Sequence, residues 1–373
     1  MEGSRSYAGN IGLLMDMNNK KLLILDGLSE LALAQDFYRG CLQAQIDAEY
    51  CDLESLPRRR LYFVSKFIGK LKSIFSRRNA INFAKLARTD ANAVKQVIMA
   101  SSPTHILVFR YAYRFIKPQV LQSYARALNC KIYLYDTDSC NLFPDQNAFV
   151  YFIENELVIY DGIFSFSKVA TDFFTKTRNL PATYFPYGSN PVARRHSRIQ
   201  TQPIDVLFVG KASFRRIFLL EHIKDKVTIY GNRWHKNSPV ISPELQGRIV
   251  NRTVWGDDLT DLMLQSKIIL NITNSNFYSV ETGLNLRVFE VLAAGGFLLT
   301  DHYEEVAGLF EIGKEIETYS SASELKEKIE YYLSHEEERM KIAAAGQKKF
   351  YALYTWEQRA KDFAAKIGIA AQP

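Results

Sequence analysis

Residues 283–301 read GLNLRVFEVLAAGGFLLTD, and the fold turns on this stretch. Leu286 to Ala294 has helical character, with Leu286, Phe289, Val291, Leu292 and Ala293 able to face a sheet. Gly295-Gly296 ends the helix and opens a strand over Gly296–Asp301. Arg287 and Glu290 lie three apart, so they share one face of the helix's first turns. A helix N-terminus favours negative charge, and an arginine beside it suits a diphosphate. Glu290 suits hydrogen bonds from ribose hydroxyls. The plainer reading is a surface ion pair on an ordinary helix. The Gly-Gly-strand sequel and the preceding Asn285 favour a binding site.

Working outward, short β-branched and aromatic runs alternate with helical patterns along the whole chain. Strands are expected at Lys21–Asp26, His105–Tyr111, Lys131–Asp136, Gly162–Ser167 and Ala182–Pro186, with a helix over Asp90–Ala100. Asn190–Pro203 is polar, carries two prolines and has no apolar period, so it reads as a linker. The pattern then restarts with Ile204–Gly210, Val227–Gly231, Lys267–Ile272 and Gly296–Asp301, and closes in a long helix from about Trp356. Continuous apolar strands separated by helices indicate parallel sheets covered on both faces. The expected architecture is α/β: two Rossmann-like doubly wound domains facing a central cleft. The first covers residues 1–192, 193–203 link them, 204–355 form the second, and a helix within 356–373 crosses back to the first. Ligands of such sheets bind at the carboxyl ends of the strands, so the cleft is the default site.

The 373 residues are 47% apolar and 23% charged, which excludes a disordered chain. Four cysteines (Cys41, Cys51, Cys130 and Cys140) show no metal or redox spacing and read as buried thiols in a reducing compartment. No apolar run approaches the roughly 20 residues that span a bilayer, and Ile11–Met15 is too short for the core of a signal peptide. A cytoplasmic protein is expected. The net charge of +7 is uneven: residues 1–200 carry 26 Lys and Arg against 17 Asp and Glu. Such asymmetry points to an acidic partner.

With these segments in view, the second half resembles the donor-binding domain of GT-B-fold glycosyltransferases, most closely the CgeB-like (spore-maturation-protein) branch. The resemblance runs from about Asp205 to Asp362, through DVLFVGKASFRR, TIYGNRW, KIILNIT, the stretch quoted above, EIETYSSASELKEKIEYYL and YTWEQRAKDF. The first half matches loosely, at YDGIFSFSKVATDFF and YFPYGSNP. The resemblance implies transfer of a sugar from a nucleotide-diphosphate sugar to a glycan or lipid-linked acceptor. No cofactor is implied; the nucleotide sugar is a co-substrate. Donor binding is expected at Gly210, Lys211, Arg216, Tyr230, Gly231, Asn285, Leu286 and Glu290. Gly210 allows a tight turn whose N–H groups approach a phosphate. Lys211 and Arg215 or Arg216 supply positive charge there. Tyr230, Gly231 and Trp234 suggest a nucleobase-stacking loop. Better-known retaining members carry a glutamate eight positions before Glu290; here that position is Thr282, with Glu281 one place further off.

Negative charge grows on the leaving diphosphate, so a metal or fixed cations must stabilise it. No D-x-D ends a strand in the second half, and Asp257-Asp258 reads as a capping pair, so no metal is expected. Arg287 is the expected catalytic cation. A general base for the acceptor belongs on the first domain, where Asp136 and Asp138 end a strand. Asp26 is an alternative, whereas His105 and His196 read as structural and exposed.

Residues 58–78, RRRLYFVSKFIGKLKSIFSRR, hold eight basic residues and no acidic one. Leu61, Val64, Phe67, Ile68, Leu71, Ile74 and Phe75 recur at helical spacing. Arg58, Arg59, Arg60, Lys66, Lys70 and Lys72 therefore suggest a peripheral, anionic membrane surface or a lipid-linked acceptor as partner. A core-facing helix with a solvated basic back is the alternative. No nucleic-acid motif accompanies the patch. Two other functions remain open: a nucleotide-sugar 2-epimerase of the same fold, or a non-catalytic membrane-docking module.

Overall fold

A computed structural model describes residues 20–27, 32–60, 62–64, 67–68, 71, 87–142, 145–192, 203–274, 282 and 284–369. Lys66, Lys70, Lys72, His196, Glu281 and most of the linker lie outside the described residues. Two parallel six-stranded sheets carry the chain. The first contains β1 (Leu22–Asp26), β2 (Ala48–Asp52), β3 (His105–Phe109), β4 (Lys131–Asp136), β5 (Gly162–Ser165) and β6 (Ala182–Tyr184). Their order is β2-β1-β3-β4-β5-β6. The second contains β7 (Ile204–Val209), β8 (Val227–Tyr230), β9 (Ile249–Val250), β10 (Ser266–Asn271), β11 (Leu298–Asp301) and β12 (Glu317–Tyr319). It runs β12-β11-β10-β7-β8-β9, the strand order of a dinucleotide-binding sheet. Strand order reverses between β1 and β3 in one sheet and between β7 and β10 in the other, and these reversals mark where ligands bind.

The central strands are buried on both faces, as their uninterrupted apolar sequences require. Expected strands end early where the next turn takes over. The His105 strand stops at Phe109, because Arg110 adopts φ 70°. The Gly162 strand stops at Ser165, because Ser167 caps the helix Lys168–Asp172 by accepting from the Ala170 N–H at 3.1 Å. β2, β9 and β12 lie at sheet edges and were not expected: β9 and β12 have only two and three residues, and β2 (AEYCD) has no apolar run.

The helix Trp356–Ile367 leaves the second sheet and packs on Leu33–Gln43 of the first. The Phe363 ring lies 4.8 Å from Phe164 and 5.7 Å from Phe37, and Trp356 lies 5.9 Å from Phe37. At the crossing, the Ser189 N–H donates to Tyr354 O at 3.0 Å and the Trp356 N–H donates to Ser189 O at 3.1 Å. A continuous apolar cluster thus runs from Leu22 and Phe37 through Trp356 and Phe363 to Val288 and Phe289. Phe363 is buried among four rings of the first domain, so Phe363→Ala should cost about 3–5 kcal/mol, the usual range for such a cavity. Chemical denaturation measures it; a loss below about 1 kcal/mol would show that the helix does not tie the halves together.

Candidate functional site

The helix Leu286–Ala294 aims its N-terminus at the carboxyl end of the second sheet. Asn285 caps it, accepting from the Arg287 N–H at 3.0 Å, and its amide donates to Asn271 at 3.2 Å. Asn271 donates in turn to Thr300 at 2.9 Å. The helix start is therefore fixed to β10 and β11 through side-chain amides. At its far end Gly295 adopts φ 73°, where any Cβ would also meet the Gln347 amide at 2.6 Å. Arg287 and Glu290 pair with each other at 2.7 Å, with 15% and 23% of their side chains exposed.

Beside this helix lies the turn after β7. The Gly210 N–H donates to Tyr230 O at 2.9 Å, and a Cβ at Gly231 (φ 150°) would lie 2.0 Å from Gly210 O. Trp234 is buried, and its indole N–H donates to Gly210 O at 3.1 Å. It braces the turn and offers no stacking face. Tyr230 is half-buried under the Arg252 guanidinium.

The cations of VGKASFRR divide into two kinds. Arg215 forms an ion pair with buried Asp301, which also accepts from the Thr273 N–H at 2.6 Å. Arg216 donates twice to Ile272 O, at 3.0 and 2.7 Å, and once to Lys211 O at 2.9 Å. Burial lowers its pKa to about 10. Both arginines thus tie the β7 loop to the β10 loop, and part of the Arg216 fork is spent on main-chain carbonyls. Lys211 is exposed. The Thr273 hydroxyl, at the end of β10, is buried and has no hydrogen-bond partner among the described residues.

A cavity of about 590 Å³ joins the two halves. Leu33, Asp36, Ser189 and Asn190 line it from the first domain, and Trp255, Thr260, Leu286 and Glu290 from the second. Trp255 is 61% exposed there. Sequence reasoning overlooked it: an aromatic outside the apolar period, directly before Gly256-Asp257-Asp258, was the available signal. Asp257 and Asp258 occupy the first turn of the helix Gly256–Leu264.

On the first domain, Asp136 is fully buried. It accepts from the Ser139 hydroxyl at 2.6 Å, the Ser165 hydroxyl at 2.7 Å and the Ser139 N–H at 2.9 Å. Burial raises its pKa. It caps the turn and does not line the cleft, contrary to the expectation of a base. Asp138 is more accessible: it pairs with Arg110 at 2.5 Å and accepts from the Tyr111 hydroxyl at 2.8 Å. The Arg110–Arg114 loop is held from below by Glu156, which accepts from the Ala112 and Tyr113 N–H groups at 2.5 and 2.8 Å. Arg58, Arg59 and Arg60 are exposed; the Arg59 N–H donates to Arg88 O, and the Arg88 N–H to Arg114 O of that loop.

The halves also touch away from the cavity's lining residues. Thr282 Oγ1 lies 2.6 Å from Ser167 Oγ and 4.0 Å from Cys140 Sγ, and the Lys168 N–H donates to Glu305 at 2.8 Å. Thr282, eight positions before Glu290, thus meets the first domain through its hydroxyl.

Residues 215–365 match a family model described as glycosyl transferase-like. That match does not single out the CgeB-like branch. No curated protein matches the chain in sequence. Sucrose-phosphate synthase from Thermosynechococcus elongatus superposes with a TM-score of 0.64 at 11% identity, over 94% of this chain and 98% of that one. Anabaena HepE in complex with UDP-glucose gives 0.61 at 12% identity, over 93% and 99%. A glycosyltransferase from Rickettsia africae ESF-5 gives 0.59 at 12%, over 94% and 98%. The fold is therefore the two-domain GT-B fold.

Burial raises the Glu156 pKa from 4.5 to about 7. A carboxyl whose folded value is raised stabilises the fold fully below its unfolded value, and that contribution is lost as pH rises through the folded value. Between pH 4.5 and about 7 the wild type should therefore lose Tm relative to Glu156→Gln. Parallel Tm curves for the two proteins would contradict this placement of the charge.

Proposed function

We propose that the chain is a glycosyltransferase that moves a sugar from a nucleoside-diphosphate sugar to an acceptor hydroxyl on the first-domain side of the cleft. The observation that carries this reading is the interdomain cavity, which has Glu290 in its wall and Trp255 exposed within it. Ribose hydroxyls donate to Glu290, the base stacks on Trp255, and the diphosphate meets the helix N-terminus, Lys211 and the Thr273 hydroxyl. Arg287 leaves Glu290 for the diphosphate, so ligand and ion pair exchange partners. As the bond between sugar and diphosphate breaks and the bond to the acceptor oxygen forms, these fixed groups stabilise the leaving charge without a metal. The acceptor proton passes to a first-domain carboxylate, for which Asp138, partly exposed after β4 and outside the cavity's lining, is the candidate. The complexes of HepE with UDP and with UDP-glucose support a uridine nucleotide as donor.

UDP or UDP-glucose should raise the melting temperature, with or without EDTA, because a ligand of the folded state stabilises it. Trp255→Ala should weaken UDP binding by about 1–3 kcal/mol, the value of a stacked base. Silence toward uridine, guanosine and adenosine diphosphates alike would overturn the reading.

The basic segment supports a peripheral membrane site near a glycan or lipid-linked acceptor. Phe63 and Phe67 are 68% and 66% exposed, and Val64, Ile68 and Leu71 also face solvent. The core-facing alternative needs these side chains inside. Among the described residues no helix is long and apolar enough to cross a membrane. The wild type should sediment with phosphatidylglycerol vesicles, and Phe63→Ser/Phe67→Ser should release it. Equal sedimentation of both proteins would remove the membrane from the account.

A further inference from the structure

A second pocket, of about 160 Å³, opens on the first domain between the helices Gln146–Tyr151 and Lys168–Asp172. Phe149, Phe173, Phe174, Val169 and Ala170 form most of its wall, with Ser139 and Cys140 at its base. The Phe149 and Phe173 rings lie 6.0 Å apart at 33°. Each of the two helices runs on into a π-helical turn, at Phe152–Glu156 and Phe173–Thr177, and the second turn carries both Phe173 and Phe174. Such turns splay side chains and recur at functional sites.

The pocket lies at the seam between the domains. Cys140 Sγ is 4.0 Å from Thr282 Oγ1, eight residues before Glu290. Val169 and Ala170 belong to the helix whose cap, Ser167, touches Thr282 at 2.6 Å. Asp138 immediately precedes Ser139. The pocket thus lies on the first-domain side of the seam, with Cys140 two residues along the chain from Asp138 and against Thr282 of the second domain.

The lining excludes a sugar. The Ser139 hydroxyl is spent on Asp136 at 2.6 Å, and burial pushes the Cys140 thiol up to about 12, so it stays neutral and apolar. Sugar hydroxyls placed there would lose their hydrogen bonds to water without replacement. The volume decides between apolar occupants. An apolar cavity of roughly 150 Å³ admits one benzene ring, whereas a polyprenyl chain needs a groove several times longer. Three phenylalanines offer edge and face contacts to such a ring. The pocket is no sealed packing void, because Val169 at its mouth is 43% exposed.

We infer that this pocket binds an aromatic ring of the acceptor, an aryl aglycone carried next to the hydroxyl that receives the sugar; the inference rests on the transferase reading above. Saturation-transfer NMR on the full chain with UDP present tests it, using phenyl, methyl and octyl β-glucosides. Ring protons of the phenyl glucoside should saturate strongly, the methyl glucoside should give no signal, and the octyl chain a weak one. Ala170→Leu should fill the slot and lower phenyl glucoside affinity about tenfold or more, with the UDP-induced Tm rise unchanged. Should that variant fail to fold, Phe173→Ala should enlarge the slot and shift preference from phenyl to naphthyl glucoside. Equal signals from phenyl and methyl glucosides, or full binding by Ala170→Leu, would overturn the inference while a UDP response keeps the donor reading. An octyl signal above the phenyl one would also overturn it. Ring binding without any UDP response would remove the donor reading and leave an aryl-binding pocket.

Discussion

Trp356 and Phe363 sit inside the aromatic core of a domain other than the one whose sheet they follow, and the cleft depends on that crossing. Fully burying a large aromatic side chain is worth about 1.5–3 kcal/mol, so the two rings bind the crossing helix firmly to the first domain. The exchange of hydrogen bonds between Ser189 and the Tyr354–Trp356 backbone fixes where the chain passes from one half to the other. Ser189 and Asn190 then form one wall of the cavity whose opposite wall is Glu290 and Trp255. A shift at the crossing moves one wall against the other, so packing energy far from any reacting atom sets the spacing of the site.

Within the second domain, charge is sorted between structure and ligand. Asp301 and Arg215, together with Arg216 on the Ile272 carbonyl, lock the loops after β7 and β10 in place. Burying an arginine against carbonyl oxygens alone costs desolvation, which shows in its lowered pKa. The return is rigidity in two loops at the carboxyl end of the sheet, where the proposed diphosphate would be held. In the proposed reading, exposed Lys211 and Arg287, in its pair with Glu290, remain to meet an anion. The Arg287–Glu290 pair keeps both side chains oriented before a donor arrives, a form of preorganisation that lowers the cost of binding.

How much of this was legible in the sequence follows the range of the interactions. The helix and strand of GLNLRVFEVLAAGGFLLTD were readable, because amphipathic spacing and a Gly-Gly stop act over a few residues. The two doubly wound sheets were readable for the same reason, while the edge strands β2, β9 and β12 lacked the apolar run that marks a buried strand. The fates of Arg215 and Arg216 were hidden, because their partners lie 86 and 56 residues further along. Asp136 looked like a base at a strand end, and only the fold shows the serines that enclose it. Trp255 escaped notice because an exposed aromatic follows no period. The i,i+3 pairing of Arg287 and Glu290 was equally consistent with an idle surface pair, and its meaning comes from the cavity beside it.

The account's central claim is that a nucleoside diphosphate enters this cavity by displacing the Arg287–Glu290 pair. A crystal structure of the full chain soaked with UDP tests it most directly. The account predicts the diphosphate at the N-terminal turn of the Leu286–Ala294 helix, the ribose hydroxyls on Glu290, the uracil on Trp255, and Arg287 turned to the phosphate. An intact Arg287–Glu290 pair with UDP bound elsewhere would contradict it.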